Sequence, residues 1–292
     1  VLVCIYGFSG CFANRFNNVA AYEEINREAR EKLVKTQNIA KREGFEVVYI
    51  HTDSIFMKRE DATQQDYEEL AGTIQSEIGL PISLDHHYKF LVFLPQKTIP
   101  GWAAASRYFG KLTNGEFNYR GIPLRRHDCP PFLKEFQLKL MEILFDANSA
   151  KEVEEKQLEK AWNYVDETCS KVLEGKVEPE ELVVSKVLRK PLREYTNKSA
   201  HVTAAGHMVQ RGKRLETGDM IDFVYVNSEH SNPYRRVVPA VLLENGHHYY
   251  DRKKYVQLVL DTAHMLLGVL NHPYESFKST TSQDLKDFMP SI

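Results

Sequence analysis

The chain has 292 residues, 42% of them hydrophobic and 27% charged, with a formal net charge of −2 at pH 7. Those proportions exclude a disordered or fibrous chain and leave room for one large domain or two modest ones. No apolar run approaches the ~20 residues needed to cross a bilayer, no signal peptide is visible, and Cys4, Cys11, Cys129 and Cys169 lack the CxxC spacing of a zinc site or disulfide framework, so reduced thiols are expected.

In chain order, the start is apolar, VLVCIYGFSGCF. Residues 18–43 then give the strongest helical pattern. Tyr22, Ile25, Ala29, Leu33 and Ala40 recur at helical steps, with Asn17 or Asn18 placed to cap the start and Gly44 to end it. FEVVYIHTDSIFMK, residues 45–58, reads as a strand, a tight polar turn and a second strand. The near-continuous apolar run from Phe45 to Ile50 predicts a first strand buried on both faces. A carboxylate on such a tip, Asp53, is well held to bind a metal ion, although Asp and Ser are also ordinary turn residues.

A second helix is expected from Asp61 to Leu80, with Tyr67, Leu70, Ile74 and Ile78 on one face. PISLDHH, YKFLVFLPQK, SRYFGKL and YRGIPLRR read as strands, with Asn114-Gly115 favouring a type I′ hairpin between two of them. In a strand, neighbouring His86 and His87 point to opposite faces and do not chelate, and His247 with His248 is read the same way. Asp128-Cys-Pro-Pro marks a boundary, after which Pro130 and Pro131 start a helix striped with Phe132, Phe136, Leu140 and Leu144. A charged helix over 151–174, a short helix, a basic turn, a strand and a last helix over 251–271 follow. A polar tail, 275–292, is expected to be mobile. The order of elements is α+β, not an alternating parallel pattern.

Charge is unevenly spread. Ser185 to Arg214 holds eight Lys/Arg against one Glu, and Gly101 to Asp128 holds five against two acids, whereas 151–181 is acidic. Clustering of this kind suits a surface that follows a phosphate backbone, though a solvated face gives the same count.

Three motifs, in order, carry a resemblance. YIHTDSIF resembles the YGDTDS palm motif of family B DNA polymerases. IYGFSG resembles the end of their fingers motif, and SRYFGKLTNGEFNYRG the stretch with their Lys-x-Tyr and Arg-Gly elements. The likeness is to the archaeal enzymes and covers nearly the whole chain. It implies an α+β family B polymerase fold in part: 1–17 ending the fingers motif, 18–128 an antiparallel palm sheet with packed helices, 129–274 a mainly helical thumb, then the tail. It also implies Asp53 as a catalytic ligand of Mg²⁺, two such ions serving nucleotidyl transfer. Tyr6, Gly7 and Thr52 would lie at the incoming nucleotide (dNTP) and nascent base pair. Arg107, Tyr108, Arg120, Gly121, Arg125, Lys186, Arg189 and Lys213 would lie along primer–template DNA.

Three departures stand out. His51 replaces the first Asp of Asp-Thr-Asp, Ser106 stands at the Lys of Lys-x-Tyr, and Val3 and Cys4 occupy the Asn-Ser positions, which puts the triphosphate-gripping Lys before residue 1. Neither the Asp-x-x-Ser-Leu-Tyr-Pro motif with the second carboxylate nor the exonuclease domain is found. The expectation is therefore a palm–thumb subunit of a split polymerase, cytoplasmic and nucleoid-associated, active only with a larger partner chain. The alternative is a non-catalytic scaffold, derived from a polymerase, that binds duplex DNA or replication partners. In the tail, SQDLKDFM resembles a sliding-clamp peptide, with Leu285, Phe288 and Met289 on one side of a helical turn.

Overall fold

The computed structural model describes residues 2–96, 103–243 and 249–270. They form two compact units, one within Val1–Tyr88 and one within Lys89–Ile292.

The first unit begins with helix α1 (Leu2–Ser9) and the long helix α2 (Val19–Arg42). Asn18 caps α2, its side chain accepting from the Ala21 amide at 3.0 Å, and Gly44 follows the helix at φ 82°. Of the α2 stripe read from sequence only Ala40 is buried, beside Thr36 and Ile39, while Tyr22 and Leu33 are half-buried and Ile25 and Ala29 are exposed. Strands β1 (Glu46–His51) and β2 (Ser54–Lys58) form the expected antiparallel hairpin, with Val48 at an irregularity in the register. β1 is not buried on both faces: Glu46 and Val48 are exposed and the other four residues are half-buried. A two-stranded ribbon has only one face covered here, through Val47 and Met57 against the core of Ile39, Ala40, Phe45, Leu70 and Ile74.

Helix α3 (Gln64–Ile78) presents Leu70 and Ile74 to that core, as its spacing predicts. Thr63 and Asp66 close its N-terminus in a reciprocal capping box. Gly79, at φ 74°, ends it two residues before the proline expected to do so. Residues 81–87 form no strand, so His86 and His87 are not placed by strand alternation. The rings of His87 and Tyr67 lie 5.3 Å apart.

In the second unit, β3 (Tyr88–Pro95), β4 (Ala103–Leu112) and β5 (Phe117–Arg120) make one three-stranded sheet. The β4–β5 turn is not the two-residue type I′ form. The Gly115 amide donates to Leu112 O and the Leu112 amide to Glu116 O, with Gly115 at φ 91° and Asn114 not left-handed. That is a three-residue turn closed by a left-handed glycine. YRGIPLRR is strand only to Arg120, and Pro123–Arg125 forms a single helical turn.

The sheet shares its core with three helices: α4 (Pro131–Leu144), the last of a continuous helical run formed by α5 (Ala150–Glu152), a π turn (Val153–Gln157) and α6 (Leu158–Leu173), and α8 (Arg252–Leu267). Leu94, Phe109 and Ile122 meet Phe136, Leu140, Trp162, Val165, Val259 and Leu266 in that core. Between α6 and α8 lie β6 (Val184–Val187), α7 (Ala200–Gln210), β7 (Met220–Tyr225) and β8 (Val237–Pro239). The antiparallel sheet β6-β7-β8 packs Ile221, Phe223 and Val237 on Ala204, Ala205 and Met208 of α7.

All four cysteines are free. Burial pushes the Cys169 thiol up to about 12 and raises that of Cys129, so both pack as small apolar groups. No helix among the described residues is long and apolar enough to cross a membrane.

Candidate active-site hairpin and nucleic-acid interface

The β1–β2 hairpin places Asp53 in the open. His51 pairs with Ser54, leaving Thr52 and Asp53 as a two-residue tip, both exposed. Thr52 has φ 53°, a region that β-branched residues seldom adopt. Asp53 does not share that sign, as in hairpin turns whose first central residue alone is left-handed. Backbone held in that region costs about 1–3 kcal/mol and persists where the surrounding structure over-determines it. Here the strand pairs of the hairpin do so, and the Ser54 hydroxyl donates to His51 O at 3.0 Å. The His51 ring lies nearly parallel to that of Tyr49, with centroids 6.2 Å apart. His51 thus packs along the strand, one residue before the tip.

Among the described residues, no group of three His, Cys, Asp or Glu side chains is arranged to hold a metal ion. Magnesium needs few protein carboxylates and fills its octahedron with water and phosphate oxygens. Asp53 is of the right chemistry for one of those ligands, and the hairpin fits a contributed carboxylate rather than an enclosed metal centre.

Tyr6 lies on α1, half-buried against α2. Its hydroxyl donates to Asn26 Oδ1 at 2.7 Å, and its ring stacks on Tyr22 at 4.9 Å between centroids and 25° between planes. A hydrogen bond with Tyr22 raises the Tyr6 phenol above its ordinary value, and the same bond lowers that of Tyr22. Gly7 is exposed, with nothing within 4 Å of where a Cβ would stand.

The basic residues fall in the second unit. Arg107 donates from Nε to Gly121 O at 3.2 Å and reaches Met265 Sδ at 3.3 Å. Gly121 has φ 65°, and a Cβ there would stand 2.6 Å from both Ser106 O and Arg107 Cγ. The Arg-Gly element is therefore a close backbone crossing that only glycine allows. Tyr108 faces Arg120 across the β4–β5 pair but is only 7% exposed, and its ring meets Phe93 edge-on at 6.0 Å. Tyr108 and Arg120 share a face of the sheet, where the tyrosine is covered and Arg120 offers the exposed charge.

Arg125 is exposed on the short turn Pro123–Arg125. Gln137, itself buried, pins that turn to α4: its Oε1 accepts from the Leu124 amide at 3.1 Å and its Nε2 donates to Leu133 O at 2.8 Å. Next along the chain, Arg126 forks onto Asp128 at 2.8 and 2.7 Å, and Lys186 of β6 approaches the same carboxylate at 3.7 Å. Asp128 is held below the usual carboxylate range by Arg126 first and Lys186 further. Lys186, from the basic stretch 185–214, and Arg126, from that around 120–126, therefore meet across Asp128.

Arg189 is exposed beyond β6, its amide bonded to the Tyr195 hydroxyl at 2.9 Å. Half-buried His201, whose Nδ1 lies 3.2 Å from Ser199 Oγ, is lowered by burial and then by Lys186 and Arg189. Lys213 is exposed in the turn after α7. Sequence reasoning passed over Asp128, His201 and Asn26. Asp128 was read as a boundary, His201 sits unmarked in an apolar helix, and Asn26 looks like any polar helix residue. Only the Arg-x-Asp spacing of Arg126 and Asp128 was visible in advance. Leu285, Phe288 and Met289 lie outside the described residues.

The sequence model of DNA polymerase family B matches residues 4–269. The chain belongs to that family. It is 28% identical over 240 residues to a DNA polymerase of Archaeoglobus fulgidus, covering 82% of this chain and 28% of that one. It is 29% identical over 259 residues to DNA polymerase 2 of Aeropyrum pernix, covering 87% and 30%. The structure of the family B DNA polymerase of Pyrobaculum calidifontis superposes with a TM-score of 0.68 at 26% identity, over 92% of this chain and 32% of that one. The chain thus spans about 30% of the length of these relatives.

Proposed function

We propose that this chain supplies the palm and thumb of a family B DNA polymerase, residues 18–128 and 129–274, and takes part in template-directed nucleotidyl transfer. The observation that carries the reading is Asp53: an exposed carboxylate on a strained two-residue tip, within a chain matched by the family over residues 4–269. Asp53 would hold Mg²⁺, which when bound supplies charge neutralisation at the phosphates and activates the primer 3′ oxygen. The chain's own groups position the reactants. Tyr6, with Gly7 and Thr52, lies at the nascent base pair and dNTP. Arg107, Arg120, Arg125, Lys186, Arg189 and Lys213 grip the primer–template backbone, with Tyr108 beside Arg120. In this reading the other catalytic carboxylate, the exonuclease domain and the rest of the fingers belong to a larger partner chain. The tail residues Leu285, Phe288 and Met289 offer a contact for a sliding clamp.

His51, where the family has Asp, favours a second reading, a scaffold that binds DNA without catalysis. Primer extension by the assembled polymerase separates the two. Asp53→Ala is expected to lower extension by a hundredfold or more, since a lost ligand removes several kcal/mol of transition-state stabilisation, with duplex binding retained. His51→Asp is expected to keep or raise it. Extension by Asp53→Ala within tenfold of wild type would sink the catalytic reading, and no extension by the wild-type assembly would favour the scaffold.

A further inference from the structure

The contact between Tyr6 and α2 is more elaborate than helix packing requires. α1 is eight residues long and meets α2 through polar groups as well as apolar ones. The Tyr6 hydroxyl gives its proton to Asn26 Oδ1 at 2.7 Å, while Asn26 Nδ2 donates to Tyr22 O at 2.9 Å. Asn26 is thereby fixed at both ends of its amide, and this hydrogen-bond pattern sets which end faces the tyrosine. The Tyr22 ring covers the Tyr6 ring at 4.9 Å. Gly10 lets the chain pass over Tyr22, because a Cβ there would stand 2.8 Å from the ring. The Ser9 hydroxyl closes the turn below by donating to Tyr6 O at 2.7 Å.

The direction of the hydrogen bond has a chemical consequence. A phenol has one proton to donate, and it is engaged on α2, where Asn26 Oδ1 and the Tyr22 hydroxyl are its partners. Toward solvent the Tyr6 oxygen then acts only as an acceptor. The minor-groove edge of every base pair carries acceptors, N3 of purines and O2 of pyrimidines, and only G·C adds a donor, the guanine amino group. A tyrosine whose proton is held elsewhere cannot donate to those acceptors. Its contact with the base-pair edge is then one of shape, with a fixed ring orientation.

We propose that Asn26, with Tyr22, is a positioning residue for Tyr6, and that it sets how tightly the correct dNTP is held by withholding the tyrosine proton and fixing the ring. The proposal rests on the placement of Tyr6 at the nascent base pair. Asn26 touches neither substrate nor metal in this scheme and acts only through Tyr6.

The test is single-nucleotide incorporation by the assembled polymerase with Tyr6→Ala, Tyr6→Phe, Asn26→Leu and the Tyr6→Phe/Asn26→Leu double variant. Asn26→Leu keeps side-chain size at a half-exposed helix position and leaves the α2–α3 core untouched. It is expected to raise KM for the correct dNTP about fivefold with kcat within twofold of wild type. In the Tyr6→Phe background, where there is no proton to hold, Asn26→Leu is expected to add less than twofold. An Asn26→Leu effect that persists in full on Tyr6→Phe, or that falls on kcat alone, overturns the proposal. If Tyr6→Ala raises KM while Asn26→Leu does not, the positioning role falls and the placement of Tyr6 stands. If Tyr6→Ala leaves KM unchanged, the placement itself falls and takes the proposal with it.

Discussion

The two compact units solve different problems with different amounts of core. The second has a deep one, in which Phe136, Trp162, Tyr255 and Leu266 are all 1% exposed or less and a sheet and three helices share a single apolar interior. The first rests on a small one, Ile39, Ala40, Phe45, Leu70 and Ile74, and leaves apolar side chains in the open: Val3 is 82% exposed, Phe12 90% and Phe16 74%. The exposed carboxylate and Tyr6 belong to the shallow unit and the basic surface to the deep one. Apolar side chains left in water add nothing to burial, so the shallow unit has the smaller apolar reserve against truncation.

Core truncation breaks or sharpens that comparison most strongly. Ile74→Ala and Phe136→Ala remove comparable buried groups from the two cores, at costs of about 2–5 and 3–5 kcal/mol. Hydrogen exchange on the isolated chain is expected to show Ile74→Ala unfolding residues 19–78 outright while protection across α4, α6 and α8 persists. Phe136→Ala is expected to lower protection throughout the second unit and leave it folded. Equal and global loss from either substitution would mean that the two units fold as one and that the shallow core borrows stability from the deep one.

The basic surface gives a smaller effect that is read in salt. Replacing Lys186, Arg189 and Lys213 with Ala removes three phosphate partners, and each is worth about 0.9 in the slope of log K against log salt on duplex DNA. The slope is expected to flatten by about 2 to 3, with affinity falling similarly on every sequence. Because Lys186 also approaches Asp128, its removal leaves that carboxylate to Arg126 alone. An unchanged slope moves the duplex to another face.

How much of this was legible in the sequence divides along the same line. The deep unit was readable where helix spacing is strict: Phe132, Phe136, Leu140 and Leu144 of α4 are all buried as their period requires. In the shallow unit the same logic overreached. The α2 pattern is equally periodic, yet Ile25 and Ala29 are exposed and Tyr22 is only half-buried, because a sequence period tells which face is apolar and not how fully anything covers it. The hairpin tip was found from four polar residues between apolar runs, but the left-handed Thr52 was not, since nothing in a threonine announces a strained backbone. The β4–β5 turn misled for a related reason. Asn-Gly fits two turn geometries, and the pairing of Leu112 with Glu116 decides between them. The convergence on Asp128 depends on contacts 58 residues apart in sequence, between Asp128 and Lys186, which no local pattern encodes.

The smallest expected effect concerns pH and singles out His201. Burial lowers its pKa, and Lys186 and Arg189 lower it further, so the free protein holds the ring neutral near pH 7. Its other neighbours are Ser199 Oγ at 3.2 Å and the Tyr195 ring, edge-on at 5.7 Å, neither of which offsets that charge. In the unfolded chain the ring titrates near its ordinary value of about 6.5. The unfolded state then binds more protons as pH falls, so His201 costs the fold stability below about pH 6.5 and costs nothing well above it. Phosphates laid along Lys186 and Arg189 reverse the sign of the local field. They raise the His201 pKa toward its ordinary value, and binding takes up a proton. Duplex affinity is therefore expected to tighten roughly threefold between about pH 8 and pH 6, and His201→Gln is expected to remove that dependence while leaving the affinity at pH 8 unchanged. Fluorescence anisotropy on a labelled duplex at fixed ionic strength reads it directly. If wild type and His201→Gln follow the same pH profile, the phosphates do not pass beside Lys186 and Arg189, and the deep unit meets the backbone through its other basic residues.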